Sequence, residues 1–169
     1  MTEGPFQRGT AVAIDGRGLL ILGPSGAGKS ALALDLIAMG AILIADDVVR
    51  IERIGDQLVM SVPDTGRGVI EARGIGLLRT PAAGPTRLTL ALDLGEREDT
   101  RLPAPLRWTR QGLSAPLLRR PSALQPAAIR AAVLSGGPID PDMPLVSGQV
   151  ARDEARDQCR AARDSRAAG

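Results

Sequence analysis

The sequence predicts one α/β domain in which a mixed sheet is flanked by helices. Three observations support this fold class. The glycine-rich segment GPSGAGKS, residues 23–30, lies between an apolar run and a segment of high helix propensity. A second short apolar run ends at the doublet Asp46-Asp47. Leucines alternate at positions 88, 90, 92 and 94, which is the period of a half-buried strand.

The first half of the chain predicts short strands around one helix. The pair Asp15-Gly16 is a hairpin-turn signal, and Gly55-Asp56 separates a second pair of strand-like runs. A helix is expected over 30–39, because SALALDLIAM contains no Gly or Pro and Gly40 follows where a left-handed cap is needed. The predicted strands are 10–14, 19–22, 42–45, 48–54 and 57–62.

The second half is less regular. Residues 69–78, VIEARGIGLL, are typical of a strand interrupted by two glycines, which indicates a bulge or a close approach to a ligand. A strand is expected over 87–94 from its alternating leucines. Residues 95–126 are rich in Pro and Arg and carry no clear pattern, whereas Pro126 favours a helix over 127–134.

The length is that of one domain, and we expect it to span residues 1–137. Residues 138–169 are predicted to be a Pro-rich linker followed by a polar C-terminal tail. Two interpretations of the tail stay open, a solvated or partly disordered segment and a helix that docks on a partner subunit.

Composition and charge exclude several classes of function. The formal net charge is +2, and the arginines form no dense basic run with interleaved aromatics, so nucleic-acid binding is not expected. The first residues lack the apolar region of a secretory signal, and the longest apolar runs are too short for a membrane span. A lone cysteine, Cys159, cannot form an intramolecular disulfide. We therefore expect a cytoplasmic protein without membrane or nucleic-acid partners.

The absence of histidine limits the available chemistry. Imidazole is the commonest general base, and this sequence has none. A proton taken near neutral pH must therefore go to a carboxylate, to Lys29 or to Cys159.

The segment GPSGAGKS fits a nucleotide-phosphate loop. Its glycines let backbone N–H groups converge on a di- or triphosphate at the start of a helix. Lys29, the only lysine of the sequence, is expected to reach the terminal phosphates, and the Ser30 hydroxyl to ligate Mg²⁺. The predicted nucleotide-binding residues are Gly23, Pro24, Ser25, Gly26, Ala27, Gly28, Lys29 and Ser30.

Acidic residues after the loop supply metal-binding or catalytic candidates. Because neighbours on a strand point to opposite faces, one of Asp46 and Asp47 is expected to act on the phosphate while the other supports it. Either a magnesium-holding role or a general-base role is compatible with this position. Glu71 is a third acidic candidate, and Arg73 and Arg101 are candidates for neutralising phosphate charge.

The stretch from 23 to 47, together with IEARGIG at 70–76 and DTRL at 99–102, resembles the catalytic domain of the bifunctional HPr kinase/phosphorylase family. This resemblance implies a P-loop kinase core related to phosphoenolpyruvate carboxykinase, commonly assembled as a hexamer. It implies ATP-dependent phosphorylation of a serine on the phosphocarrier protein HPr of the phosphotransferase system, and phosphorolytic removal of that phosphate.

The resemblance also implies roles for individual residues. Asp47 would accept a proton in the forward reaction and donate it in the reverse reaction. Asp46 and Lys29 are further catalytic candidates from their own positions in the sequence. Ser30 and Glu71 would ligate Mg²⁺, and Arg101 matches the catalytic arginine of the family.

The sequence departs from the family pattern at several points. Arg8 stands where the family has a histidine, and the basic segment that the family uses in dephosphorylation is represented only by residues 118–121. The separate N-terminal domain of the family is not part of the sequence, so we expect a short, catalytic-domain form. Two alternatives stay open: a nucleotide-binding regulator without turnover, and a P-loop kinase of a small molecule.

Overall fold

The computed structural model describes residues 4–63 and 66–140. The predicted polar tail at 150–168 and Cys159 lie outside these residues. In chain order the elements are β1 (Phe6–Arg8), β2 (Thr10–Ile14), β3 (Arg17–Leu22), α1 (Lys29–Ala38), β4 (Ile42–Ala45), β5 (Val48–Ile54), β6 (Gln57–Ser61), β7 (Val69–Ala72), β8 (Gly76–Arg79), β9 (Thr86–Glu98), β10 (Leu106–Arg110), β11 (Leu113–Pro121) and α2 (Pro126–Leu134).

A mixed sheet dominates the fold. Its main path runs β1-β5-β6-β9-β3-β2-β4, and β11 extends it by pairing with β9 and with β10. The pairs β3/β9 and β9/β11 are parallel, whereas the other pairs in the sheet are antiparallel. The prediction of a mixed α/β sheet is therefore confirmed. The carboxyl ends of the parallel strands lie at one edge, where the loop after β3 begins.

Strand β9 carries a bulge that changes which face its leucines occupy. Gly18 of β3 is opposite Leu88, but the next residue, Leu19, is opposite Leu90, so Thr89 is an extra residue in β9. An extra residue reverses the alternation of the side chains. Leu88 consequently packs in a different core cluster from Leu90. The alternation of the four leucines predicts that all of them lie on one face of the strand, and this prediction was wrong for Leu88.

Apolar cores cover both faces of the sheet. Helices α1 and α2 pack on one face through Leu32, Leu36 and Val133, against the buried leucines of β9. The other face is covered by the β5–β6 hairpin, whose Ile51 and Met60 are fully buried. Burial of large aliphatic side chains on both faces supplies the main stabilisation, since each contributes roughly 1.5–3 kcal/mol.

The helices follow their sequence signals. Helix α1 ends before Gly40, which has φ 94°, as expected of a left-handed cap. Helix α2 begins at Pro126, where a missing N–H costs nothing, and ends before the positive-φ residues Gly136 and Gly137. Both predicted helices are confirmed, each beginning one residue earlier than expected.

Two segments differ from the sequence-based expectation. Residues 69–79 form not one bulged strand but two strands, β7 and β8, which pair in register as a separate hairpin. Gly74 and Gly76 have positive φ, so they build the turn of this hairpin rather than a bulge. The unassigned region contains β10, β11 and the end of β9, and Pro116 and Pro121 both lie within β11.

The short strand β1 is attached by a buried arginine. Arg110 is 7% exposed, and its guanidinium donates to Gln7 Oε1 at 2.7 Å and to the carbonyls of Gly4 and Phe6. Its guanidinium carbon lies 5.9 Å from the ring centre of Trp108, a cation–π distance. This contact holds the segment that leads into Arg8 and the first core strand.

In the part of the chain that the structure describes, no helix is long and apolar enough to cross a membrane. The predicted boundary between a domain at 1–137 and a tail at 138–169 stays a prediction.

Candidate active site

The glycine-rich loop connects β3 to α1 at the carboxyl edge of the parallel strands. Gly23, Gly26 and Gly28 have φ of 133°, 82° and 96°, a region that favours glycine. Gly28 is the residue before α1, so the loop ends at the helix N-terminus, where backbone N–H groups are free to bind an anion. A β-carbon on Gly23 would lie 3.1 Å from the backbone nitrogen of Gly95, so the loop packs closely on the end of β9.

Lys29 closes the loop on itself. Its Nζ donates to the carbonyl of Gly23 at 3.0 Å and to that of Pro24 at 2.8 Å. These neutral acceptors keep the ammonium inside the loop. A phosphate oxygen, which carries negative charge, is a stronger acceptor for the same group than either carbonyl.

Asp46 forms hydrogen bonds with three different elements of the site. Its Oδ1 accepts hydrogen bonds from Thr10 Oγ1 at 2.8 Å and from Ser30 Oγ at 2.9 Å. Its Oδ2 accepts from the backbone N–H of Glu71 at 3.2 Å. The carboxylate therefore joins β2, α1 and β7 at the end of β4. Of the two aspartates, Asp46 has the supporting geometry that the sequence predicted for one of them.

Asp47 differs from its neighbour in backbone conformation and in exposure. It has φ 67°, a left-handed conformation that Asp tolerates better than most residues, and its side chain is exposed. Its carbonyl accepts a hydrogen bond from the N–H of Gly9 at 3.0 Å. The chain therefore turns sharply between the two aspartates, so both of them line one cavity although they are adjacent in sequence.

This cavity has a volume of about 450 Å³. Its lining includes Ser25, Gly26 and Gly28 of the loop, Lys29, Ser30, and both aspartates. The β7–β8 hairpin supplies a further wall through Glu71, Ala72, Arg73 and Ile75. The structure thus brings the predicted loop, the two aspartates and Glu71 together at one place. A triphosphate with a metal ion fits the size range of such sites.

The oxygen donors of the cavity suit Mg²⁺. The Ser30 hydroxyl donates its proton to Asp46, which leaves its lone pairs for a cation, and Glu71 contributes an exposed carboxylate. Among the described residues no group of three or more His, Cys, Asp or Glu side chains can hold a metal by itself. Mg²⁺ is commonly bound by one or two protein oxygens together with substrate phosphates, so these residues fit that pattern.

Arg101 is not among the residues that line the cavity of the phosphate loop. It lines a cavity of about 460 Å³ beyond the end of β9, with Glu98, Thr100 and Arg119. Hydrogen bonds from the Thr100 hydroxyl and N–H hold the pKa of Glu98 below its usual range, and the charge of Arg119 contributes less. The structure does not bring Arg101 into the cavity of the phosphate loop, and its catalytic role stays a prediction.

Arg8 ends β1 beside the site. It pairs with Val48 across the strands, immediately before the Gly9–Asp47 hydrogen bond, and its side chain is exposed. Among the ion pairs of residues 4–63 and 66–140, none joins Arg8 to Asp47. Arg8 therefore lies near Asp47 in the strand pairing, and the two side chains form no ion pair.

Sequence reasoning missed Thr10. Its side chain is fully buried and donates to Asp46, so it orients the carboxylate that also holds Ser30. A single threonine at the start of an apolar strand carries no signal of this role, since the partner lies far along the chain. Only the pairing of β2 with β4 places the two together.

The first half of the chain is similar in sequence to known proteins. Residues 1–83 match the family model described as "HPr Serine kinase C-terminal domain". The chain is 48% identical over 73 residues to HPr kinase/phosphorylase of Caldicellulosiruptor bescii, which covers 43% of this chain and 24% of that protein. It is 44% identical over 90 residues to HPr kinase/phosphorylase of Caldanaerobacter subterraneus subsp. tengcongensis, which covers 51% of this chain and 30% of that protein. The matched segments thus span about a quarter to a third of these relatives.

Among solved structures, the chain is similar to the Hpr(Ser) kinase/phosphatase from Coxiella burnetii, with a TM-score of 0.66 and 24% identity. The match covers 77% of this chain and 88% of that chain, which confirms the predicted fold. By sequence, residues 1–83 are therefore similar to the HPr serine kinase C-terminal domain family, whereas the solved structure shows a likeness of fold.

Proposed function

We propose that this protein is an ATP-dependent kinase that phosphorylates a seryl hydroxyl on an HPr-like phosphocarrier protein. One observation carries the proposal. A single cavity is lined by a phosphate loop with its lysine, by the two aspartates and by Glu71. A phosphate cradle, metal-binding oxygens and a carboxylate base are parts that phosphoryl transfer requires.

Nucleotide binding would begin at the phosphate loop. The N–H groups at the start of α1 would donate to the phosphate oxygens, favoured by the helix dipole. Lys29 would exchange its two carbonyl acceptors for the terminal phosphates. The carbonyls of Gly23 and Pro24 would then accept hydrogen bonds from water, and the loop would not need a large rearrangement.

The transfer step conserves atoms and charge. The seryl oxygen forms a bond to the γ-phosphorus of ATP, and the bond from that phosphorus to the bridging oxygen of ADP breaks. The seryl proton passes to the Asp47 carboxylate, which is exposed to an incoming substrate. Asp46 cannot serve this role as readily, because its two oxygens already accept three hydrogen bonds.

Ser30 and Glu71 would hold Mg²⁺, with Asp46 orienting the Ser30 hydroxyl. The ion would neutralise charge on the phosphates when bound. Thr10 and the hydrogen bond to Glu71 N–H would keep these ligands in place whether or not nucleotide is present.

The reverse reaction uses the same groups in the opposite sense. Inorganic phosphate would attack the phosphorus of phosphoserine to yield pyrophosphate, and Asp47 would return the proton to the seryl oxygen. Arg101 would assist if the loop after β9, or another subunit, brought it to the phosphate.

A protein substrate agrees better with the rim of the cavity than a small molecule does. Ile75 lines the cavity and is 78% exposed, and Leu77 on the same hairpin is 75% exposed. Large exposed aliphatic side chains beside a catalytic cavity offer contact area to a macromolecule. The names of the relatives indicate which macromolecule, the phosphocarrier HPr.

The decisive experiment combines the protein with Mg-ATP and an HPr-like carrier, followed by mass spectrometry for phosphoserine. A carrier with alanine at the acceptor serine is the matched control. We expect one phosphate on the wild-type carrier and none on the control. Light scattering of the same sample tests the expected hexamer, and assay of phosphorylated carrier with inorganic phosphate tests the reverse reaction.

Two outcomes would contradict the proposal. Nucleotide binding without transfer would favour a regulatory protein, the alternative that Arg8 in place of the family histidine keeps open. Phosphate transfer to a metabolite in place of the carrier would favour a small-molecule kinase.

A further inference from the structure

Three arginines line a third cavity, at the opposite end of β3 from the phosphate loop. Arg17, Arg87 and Arg107 surround a space of about 550 Å³, together with Thr89 and Ser114. We call it the arginine cavity. Its size lies within the range of small-molecule sites. None of its lining residues is acidic, so the side chains give it a formal charge of +3.

The topology of the sheet places this cavity at the edge opposite the phosphate loop. Arg17 begins β3, whereas the loop follows the last residue of β3, Leu22. Arg87 stands at the beginning of β9, and Ser114 at the beginning of β11, which both run parallel to β3. At about 3.3 Å per residue, the two sites are separated by roughly 15–20 Å. One small ligand cannot span them.

Local irregularities shape the arginine cavity. The bulge in β9 places Thr89 among its lining residues, which is the effect that bulges commonly have beside functional sites. Gly18 allows close packing next to it, because a β-carbon there would lie 2.5 Å from the carbonyl oxygen of Arg87. The backbone that carries Arg87 is therefore held tightly against β3.

The three guanidiniums are differently constrained. Arg107 is oriented by Ser114, to whose hydroxyl its Nε donates at 2.7 Å and to whose carbonyl its Nη2 donates at 3.1 Å. Arg17 donates through Nη1 to the carbonyl of Leu134 at the end of α2. Arg87 makes no side-chain hydrogen bond or ion pair with the described residues. The nearby carboxylate of Asp15 is occupied by Arg130 at 3.1 Å.

Three like charges line one cavity, and because all three arginines are exposed, solvent and salt screen much of their mutual repulsion. The arrangement is favourable around a phosphate, because guanidinium groups bind phosphate oxygens through paired hydrogen bonds. Arg87, the other two arginines and Thr89 all line the same space.

We propose that the arginine cavity binds a small molecule with at least two phosphate negative charges, such as a diphosphate or a phosphorylated metabolite. Arg87 would bind it directly, while Ser114 and the Leu134 carbonyl hold Arg107 and Arg17 ready. This second site is independent of the kinase activity proposed above.

The test titrates inorganic pyrophosphate into the Lys29→Ala variant by calorimetry, with EDTA present, so that binding at the phosphate loop is weakened. Arg87→Ala is then added to that background. Loss of a charged hydrogen bond predicts about tenfold weaker binding or more. Arg79→Ala is the matched control, because Arg79 is an exposed arginine of β8 that does not line the cavity.

Further ligands distinguish the possible sources of the phosphate. Tighter binding of pyrophosphate than of glycerol 3-phosphate would support an inorganic or nucleotide-like diphosphate, and the reverse order would support a phosphorylated metabolite. Affinity that is unchanged by Arg87→Ala, or weakened equally by Arg79→Ala, would overturn the proposal. In the protein with Lys29 present, Arg87→Ala should lower the stoichiometry from two sites to one.

Thermal unfolding provides a readout that a purely structural arginine would not produce. Without ligand, Arg87→Ala should leave the melting temperature unchanged or raise it, because a repelling charge is removed. With pyrophosphate, the rise in melting temperature seen for Lys29→Ala should be lost in the double variant. A fall in the ligand-free melting temperature would indicate that Arg87 stabilises the fold instead.

Discussion

The two ends of β3 carry different kinds of charged and polar groups. At its carboxyl end the phosphate loop offers backbone N–H groups, one lysine and nearby carboxylates. At its amino end the arginine cavity offers side-chain guanidiniums and hydroxyls without any carboxylate. Carboxylates beside a phosphate site repel the anion unless they hold a metal or take a proton, so their presence indicates chemistry. No carboxylate is among the residues that line the arginine cavity, and the ligand site proposed there therefore involves no phosphoryl transfer.

The largest expected effect at the loop end is that of Lys29→Ala. Removing the ammonium that would neutralise the transferring phosphate should reduce phosphoserine formation on the order of 10³-fold. The rate of carrier phosphorylation with Mg-ATP measures this loss. Arg87→Ala, at the other end of the strand, serves as the control and should retain the wild-type rate. A comparable loss in both variants would show that the two ends are not separate.

Asp47→Asn should follow in size. It removes the proposed base while preserving the shape of the side chain, so we expect a loss of about 10²-fold in kcat. Asn also tolerates the left-handed backbone at this position, where φ is 67°, so the fold should be unaffected. Steady-state kinetics over a range of carrier concentrations separates kcat from KM. An unchanged kcat would remove Asp47 from the mechanism.

Asp46→Asn should change stability where Asp47→Asn does not. An amide at position 46 loses the negative charge that accepts three hydrogen bonds, and it has one accepting oxygen where the carboxylate has two. Weakening or losing one of these hydrogen bonds costs roughly 1–2 kcal/mol. Urea denaturation of the two variants measures the difference. Equal stability would mean that the three hydrogen bonds to Asp46 contribute little to the fold.

The smallest predicted effect concerns Glu98, at the carboxyl end of β9. Thr100→Val removes the hydroxyl that contributes most to the lowered pKa, so the pKa of Glu98 should rise while the remaining N–H keeps part of the shift. A lowered pKa stabilises the fold above the pKa of the unfolded chain, and this contribution is lost as the pH falls through the folded value. Carboxyl NMR titration measures the change, with Thr109→Val, an exposed threonine of β10, as control. An unchanged titration would assign the shift to other groups.

The sequence predicted the loop end much better than the arginine end. The residues of the phosphate loop are contiguous, and their glycines and their lysine carry the signal without any knowledge of the fold. The three arginines that line the arginine cavity are far apart in the sequence. Each resembles an ordinary surface residue in a sequence with many arginines. Parallel pairing of β3, β9 and β11 is required to bring them to one edge.

The β7–β8 segment shows where sequence pattern was ambiguous. Glycines within an apolar stretch are compatible both with a bulge and with a turn, because both need positive φ. Only the register of Ile70 opposite Leu78 decides for a hairpin. That hairpin places Glu71 at the cavity, which the linear sequence alone did not show, although the family resemblance had already implied a metal-ligand role for it.

By itself the sequence determined the mixed α/β class, the phosphate loop, both helices and the short list of acids that can act without histidine. These depend on local propensities and on short-range spacing, which a linear chain expresses directly. Only the tertiary structure decided that Asp46 supports while Asp47 is exposed, that Thr10 holds the first of them, and that Arg101 lies in another cavity. Those outcomes depend on strand pairing, a bulge and one left-handed residue, whose effects on side-chain direction are nonlocal.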